Sequence, residues 1–122
     1  MISIQNEDIS PEEIINALKA PEAGAVVSFL GVVRRDPDVA SGLEVEAYEE
    51  MALERLREIA KAAKKRFEIL DIAIVHRIGT LALGDNITFI ASSAAHRSDA
   101  FAATEWALEE VKRTVPLWKK EI

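Results

Sequence analysis

The apolar and polar positions fall into short blocks whose period switches between that of a strand and that of a helix. "ISIQ" near the start reads as a first strand. In "SPEEIINALKA", Ile14, Ile15 and Leu18 share a short helical face. Ser10 stands at its N-cap, Pro11 in its first turn and Glu13 three residues on, as a capping box. "GAVVSFLGVVRR" is nearly all apolar and rich in β-branched residues, which predicts a strand buried on both faces and closing in Arg34 and Arg35. "DPDVASG" is a loop by composition. "LEVEAYEE" sets Leu43, Val45 and Ala47 against Glu44, Glu46 and Tyr48, as a strand with one wet face should. From about Met51 to Phe67, apolar residues at 53, 56, 59, 60, 63 and 67 mark an amphipathic helix. "ILDIAIVHRIG" and "NITFIASSA" are two more strands, separated by "TLALGD" with its Gly84-Asp85 turn. A last helix, capped by Ser98, runs to about Thr114 before Pro116 stops it. The order β-α-β-β-α-β-β-α predicts an α+β fold, a mixed or antiparallel sheet with packed helices, and residues 1–122 as a single domain.

Charge narrows the function. A net charge of −6 argues against a nucleic-acid binder, which needs a broad basic face. A single-stranded RNA reader would also need exposed aromatics on its strands. Only Phe29, Tyr48 and Phe89 are available, and Phe89 reads as core. With no cysteine, thiolate metal sites and a cysteine nucleophile are excluded. His76 and His96 lie too far apart in sequence for a spaced metal motif, so neither a metal nor a cofactor is expected. No apolar run reaches the roughly 20 residues of a membrane span, and the N-terminus is acidic where a signal peptide starts positive, so the expectation is a cytoplasmic protein.

Against that acidic background, "VKRTVPLWKKE" carries Lys112, Arg113, Lys119 and Lys120 with no acid among them. At about 100° per residue, Phe101, Thr104, Leu108, Val111 and Val115 fall on one face of the last helix, and Lys112 projects roughly 20° from Phe101. Such a lysine either snorkels to the rim, paired with Glu105, or keeps its ammonium partly desolvated. Pro116, Leu117 and Trp118 then hold Lys119 and Lys120 near the helix end. In "SSAAHRSDAF", His96 and Arg97 come between a strand end and a helix N-terminus, a combination suited to an anion. Arg34, at the end of the long strand, is a third cationic element, whereas His76 in its apolar strand reads as structural. These cations alone also fit a non-catalytic regulatory domain that binds a small anion or metabolite.

Taken together, "GAVVSFLGVVR", "AIVHRIGTLALGD", "SSAAHRSDAF" and "VKRTVPLWKKE" resemble, in this order, the large catalytic subunit of molybdopterin synthase, over roughly residues 24–121. The resemblance implies an α/β hammerhead fold and a sulfurtransferase of molybdenum cofactor biosynthesis. Two sulfurs would pass from the C-terminal thiocarboxylate of a small ubiquitin-like subunit to cyclic pyranopterin monophosphate, making the molybdopterin dithiolene. A homodimer carrying one small subunit at each end, a heterotetramer, is the implied assembly. By the same resemblance Lys112 and Lys119 are catalytic, while Phe29, Arg34, His96, Arg97, Lys120 and Glu121 bind substrate. Two departures stand out. Val32 occupies a position where some relatives carry a polar or basic residue, and the sequence stops at Ile122 where many continue to an arginine that reaches the neighbouring subunit.

Overall fold

A computed structural model describes all of residues 1–122. The elements run β1 (Ile2–Gln5), α1 (Pro11–Leu18), β2 (Ala25–Val32), β3 (Gly42–Ala47), α2 (Glu49–Arg66), β4 (Ile69–Arg77), β5 (Gly79–Ala82), β6 (Asn86–Ala94), α3 (Arg97–Thr114) and β7 (Leu117–Glu121). They make two sheets where the sequence suggested one. The larger has the order β1-β4-β6-β2, with β1 parallel to β4 and the other pairs antiparallel. The smaller is antiparallel, in the order β5-β3-β7. Its two outer strands are the ones hydropathy does not announce. "GTLA" is four residues long and "LWKKE" is mostly charged, and each becomes a strand because β3 supplies backbone partners along one of its edges.

Alternation along the central strands distributes the core over both faces of the larger sheet. Ile72, Ile74 and Ile90 point toward α2 and α3, where they meet Leu56, Ile59, Ala107 and Val111. Ala73, Val75, Phe89 and Ala91 point the other way, onto Ile14 and Leu18 of α1. Each fully buried leucine or isoleucine contributes roughly 1.5–3 kcal/mol, so the α2–α3 face dominates. A third cluster of Val33, Val39, Val45, Leu81 and Ile87 joins the end of β2 to the smaller sheet.

Several local expectations change. β2 is not buried on both faces: it is an edge strand, with Leu30 41% and Val32 49% exposed. Ser10 makes no side-chain cap, and α1 instead closes its first turn with the Ile14 amide donating to the Ser10 carbonyl at 3.2 Å. Ser98 is not the cap of α3, because only Ala95 and His96 separate β6 from the helix, leaving Ser98 inside the first turn. The buried face of α3 is Ala100, Ala103, Thr104, Ala107 and Val111, not the stripe through Phe101, which is 60% exposed. Small side chains let the helix lie close to the sheet, and hydropathy gives them little weight. Thr104 is accommodated there by polar contacts, with its hydroxyl 2.9 Å from Ser92 Oγ and 3.3 Å from the Val27 carbonyl. The rotation puts Phe101, Leu108 and Lys112 on a flank of the helix beside the β2 edge.

Candidate functional site

That flank forms one wall of a cavity of about 600 Å³ between the two sheets. Phe29 and Arg34 reach it from β2 and the loop beyond, His76 from the end of β4, Leu108 and Lys112 from α3, and Lys119 and Glu121 from β7. Five of the expected site residues, Phe29, Arg34, Lys112, Lys119 and Glu121, are therefore brought together. β7 explains the selection. It is paired to β3 with Val45 opposite Lys119, and its alternation turns Lys119 and Glu121 one way and Trp118 and Lys120 the other. Trp118 donates its indole N–H to Glu46 Oε2 at 3.0 Å, and part of its side chain still borders the cavity mouth. Lys120, expected in the site with Lys119 and Glu121, does not line the cavity.

Three cations and two carboxylates, Asp36 and Glu121, line the cavity. None of Arg34, Lys112 and Lys119 forms an ion pair, although Arg55, Arg57, Lys64, Arg77 and Arg113 all do. Lys112 is exposed at the rim and has no pairing with Glu105, so it snorkels rather than sinking into the core. The drier ammonium belongs to Lys119. The residue as a whole is exposed, yet partial desolvation of its ammonium, assisted by the neighbouring Lys112 cation, lowers its pKa. His76 is only 3% exposed and hydrogen-bonded to the Arg77 carbonyl, as its structural reading expects, and it also forms part of the cavity wall. No sequence signal announces that second position, because the strand pattern does not reveal that β4 ends beneath α3.

His96 and Arg97 do not join this cluster within one chain. They lie with Gly24 and Ser98 around a separate cavity of about 460 Å³ at the start of α3. Fifteen residues of continuous helix separate Arg97 from Lys112, about 22 Å along the axis at 1.5 Å per residue. The expected convergence of all three cationic stretches is thus divided between the two ends of one helix.

Residues 4–114 match the family described as MoaE protein. A molybdopterin synthase catalytic subunit from Thermoplasma volcanium is 42% identical, across 99% of this chain and 90% of that one. The chain belongs to the MoaE family of molybdopterin synthase catalytic subunits. Crystallographic molybdopterin synthase from Staphylococcus aureus superposes with a TM-score of 0.92 at 39% identity, covering 98% of this chain and 88% of that one. A complex of subunits 1 and 2 of the molybdopterin-converting factor from Helicobacter pylori shares the fold, with a TM-score of 0.81 at 22% identity over 98% of this chain and 83% of that one.

In this MoaE-family chain the histidine of the cavity wall has a measurable signature. Burial, opposed by a hydrogen bond to the Arg77 carbonyl and reinforced by the Lys119 charge, pushes His76 from 6.5 down to about 4. A histidine with a depressed folded pKa costs stability as pH falls, because the unfolded chain takes up the proton first. The loss begins near pH 6.5 and levels off below about pH 4. It should total roughly 3 kcal/mol at 1.36 kcal/mol per unit. Urea unfolding of the parent protein and of His76→Gln, compared between those pH values, isolates this part from carboxylate titration.

Proposed function

We propose that the cavity between the two lysines receives the thiocarboxylated C-terminal tail of a small ubiquitin-like subunit, and that cyclic pyranopterin monophosphate binds beside it. The observation that carries the reading is the unpaired Lys112–Lys119 couple inside a partly apolar cavity, in a MoaE-family chain. The slot suits an extended tail ending in an anion, and Arg34 supplies a counter-charge for the substrate phosphate. In each round the thiocarboxylate sulfur bonds to a pterin side-chain carbon as that carbon's C–O bond breaks, the oxygen leaving as a phosphate oxygen or as water, and the tail stays joined to the carbon as a thioester. Water then adds to the thioester carbonyl. The tetrahedral oxyanion is stabilised by the Lys112 ammonium, while Lys119, with its lowered pKa, takes the proton of the water. Breaking the acyl C–S bond leaves sulfur on the pterin and a carboxylate on the tail, and a second round completes the dithiolene.

His96 and Arg97 enter this reading through a second copy of the chain. β2 has a free edge, with Leu30 and Val32 exposed on one face and Phe101 on the helix covering the other. An antiparallel pairing of two such edges about a twofold axis would bring the Gly24 end of one copy beside the Arg34 end of its partner. The His96–Arg97 cradle of one chain would then face the lysines of the other and hold the phosphate there. The proposal takes residues 1–122 as one domain and the assembly as a homodimer with a small subunit at each end. It includes a cytoplasmic location, in keeping with helices none of which is long and apolar enough to cross a membrane.

The direct test is to incubate the protein with cyclic pyranopterin monophosphate and the thiocarboxylated small subunit and to assay the dithiolene. No product under conditions where both components are intact would defeat the assignment. The shared site has its own test. Lys112→Ala and Arg97→Ala should each be inactive, but mixed dimers carry one intact site. Random mixing makes about half of the dimers mixed, so roughly a quarter of the parental activity should return. No recovery, with mixed dimers verified by mass spectrometry, would mean that each chain works alone.

A further inference from the structure

Lys119 lies on an edge strand, is exposed and has no ion pair, so no charged partner holds its ammonium in one place. The cavity wall supplies a partner. His76 Nδ1 lies 2.8 Å from the Arg77 carbonyl oxygen. A carbonyl only accepts, so Nδ1 carries the proton and Nε2 carries the lone pair. Nε2 has no partner within the chain. It is not sealed in the core either, because the one enclosed side-chain polar atom without a partner is Ser93 Oγ. The imidazole therefore turns an open acceptor toward the cavity, where the Lys119 charge is near enough to influence it.

We propose that His76 is the positioning residue for Lys119: its Nδ1–H is anchored to the Arg77 carbonyl, and its Nε2, to which no group of the chain donates in this structure, accepts a hydrogen bond when the Lys119 side chain swings toward it across the cavity. The role suits a neutral acceptor better than a carboxylate. An aspartate or glutamate at this position would hold the lysine as firmly protonated, whereas an imidazole fixes its direction and leaves it able to lose a proton. The other charged groups facing the same cavity are Lys112, Arg34, Asp36 and Glu121, and neither acid lies within ion-pair distance of Lys119. The inference deepens the functional reading above and rests on it for its link to turnover, but the contact itself can be measured on the protein alone.

Two substitutions separate the nitrogens. His76→Asn can still donate to the Arg77 carbonyl but offers nothing at the Nε2 position, whereas His76→Gln reaches far enough to return an acceptor there. With ¹³C-labelled lysine, Lys119 should titrate about one unit lower in His76→Asn than in the parent protein, and His76→Gln should recover most of that shift. Sulfur transfer should follow, with a roughly tenfold or larger loss in kcat for Asn, little change in KM, and partial rescue by Gln. Lys119 titrating identically in all three folded proteins would overturn the inference, whatever the activity. Should the variants not fold, ¹⁵N-histidine spectra of the parent decide. A non-protonated Nε2 whose resonance moves as Lys119 titrates supports the contact, and a protonated or unresponsive Nε2 refutes it. A parent protein inactive in the dithiolene assay would instead strike the functional reading and leave the contact standing.

Discussion

Lys112→Ala is expected to abolish sulfur transfer while leaving the fold and the binding of the small subunit intact. The residue sits exposed at the rim of the cavity, so its removal leaves no buried group unpaired and should change stability by less than about 0.5 kcal/mol. Its ammonium is assigned to an oxyanion that exists only during turnover, and losing such a donor costs roughly 10²–10⁴-fold in rate. Single-turnover assays should therefore show a collapse in the chemical step, with the affinity for the small subunit unchanged. Lys112→Arg sharpens the result. It keeps the positive charge but cannot give up a proton, so substantial residual activity would assign Lys112 to electrostatic stabilisation alone. The alanine variant also removes the like charge that helps depress Lys119, whose pKa should rise. Full activity in Lys112→Ala would end the assignment.

Leu56→Ala should produce the opposite pattern, with an intact site on an unstable protein. Leu56 is fully buried and packs in the cluster that joins α2 and α3 to Ile72, Ile74 and Ile90. Truncating it removes the transfer free energy of the lost methyl groups and leaves a void, at a cost of about 2–5 kcal/mol. That is a large share of the roughly 5–15 kcal/mol that stabilises a domain. In urea the midpoint should fall with an unchanged slope, and the folded fraction at low temperature should retain its turnover. A loss of under about 1 kcal/mol would mean that α2 collapses onto the sheet and fills the gap.

How legible these features are in the sequence depends on what sets them. α2, expected from about Met51 to Phe67, runs from Glu49 to Arg66, because a long amphipathic period is a local property. β7 is invisible for the opposite reason. Nothing in "LWKKE" favours a strand until β3 lies alongside, and only that pairing sorts Lys119 and Glu121 from Lys120. The face of α3 is hard to read from sequence because alanines contribute little to a hydropathy wheel while permitting the closest packing. The candidate site was legible in part for similar reasons. Phe29, Arg34, Lys112 and Lys119 could be matched by motif and do share a cavity. The separation of His96 and Arg97 from them follows from helix length alone, and motif matching overlooks it because it carries no distances.

The alanine face of α3 has a wider consequence. Ala100, Ala103 and Ala107 have no exposed surface and press the helix against the sheet, with the proposed phosphate cradle, His96 and Arg97, at one tip and Lys112 near the other. A helix so seated has no slack. A wedge anywhere beneath it would tilt both tips together, so damage at its midpoint, far from any reacting atom, would surface as a catalytic fault in both halves of the proposed dimer.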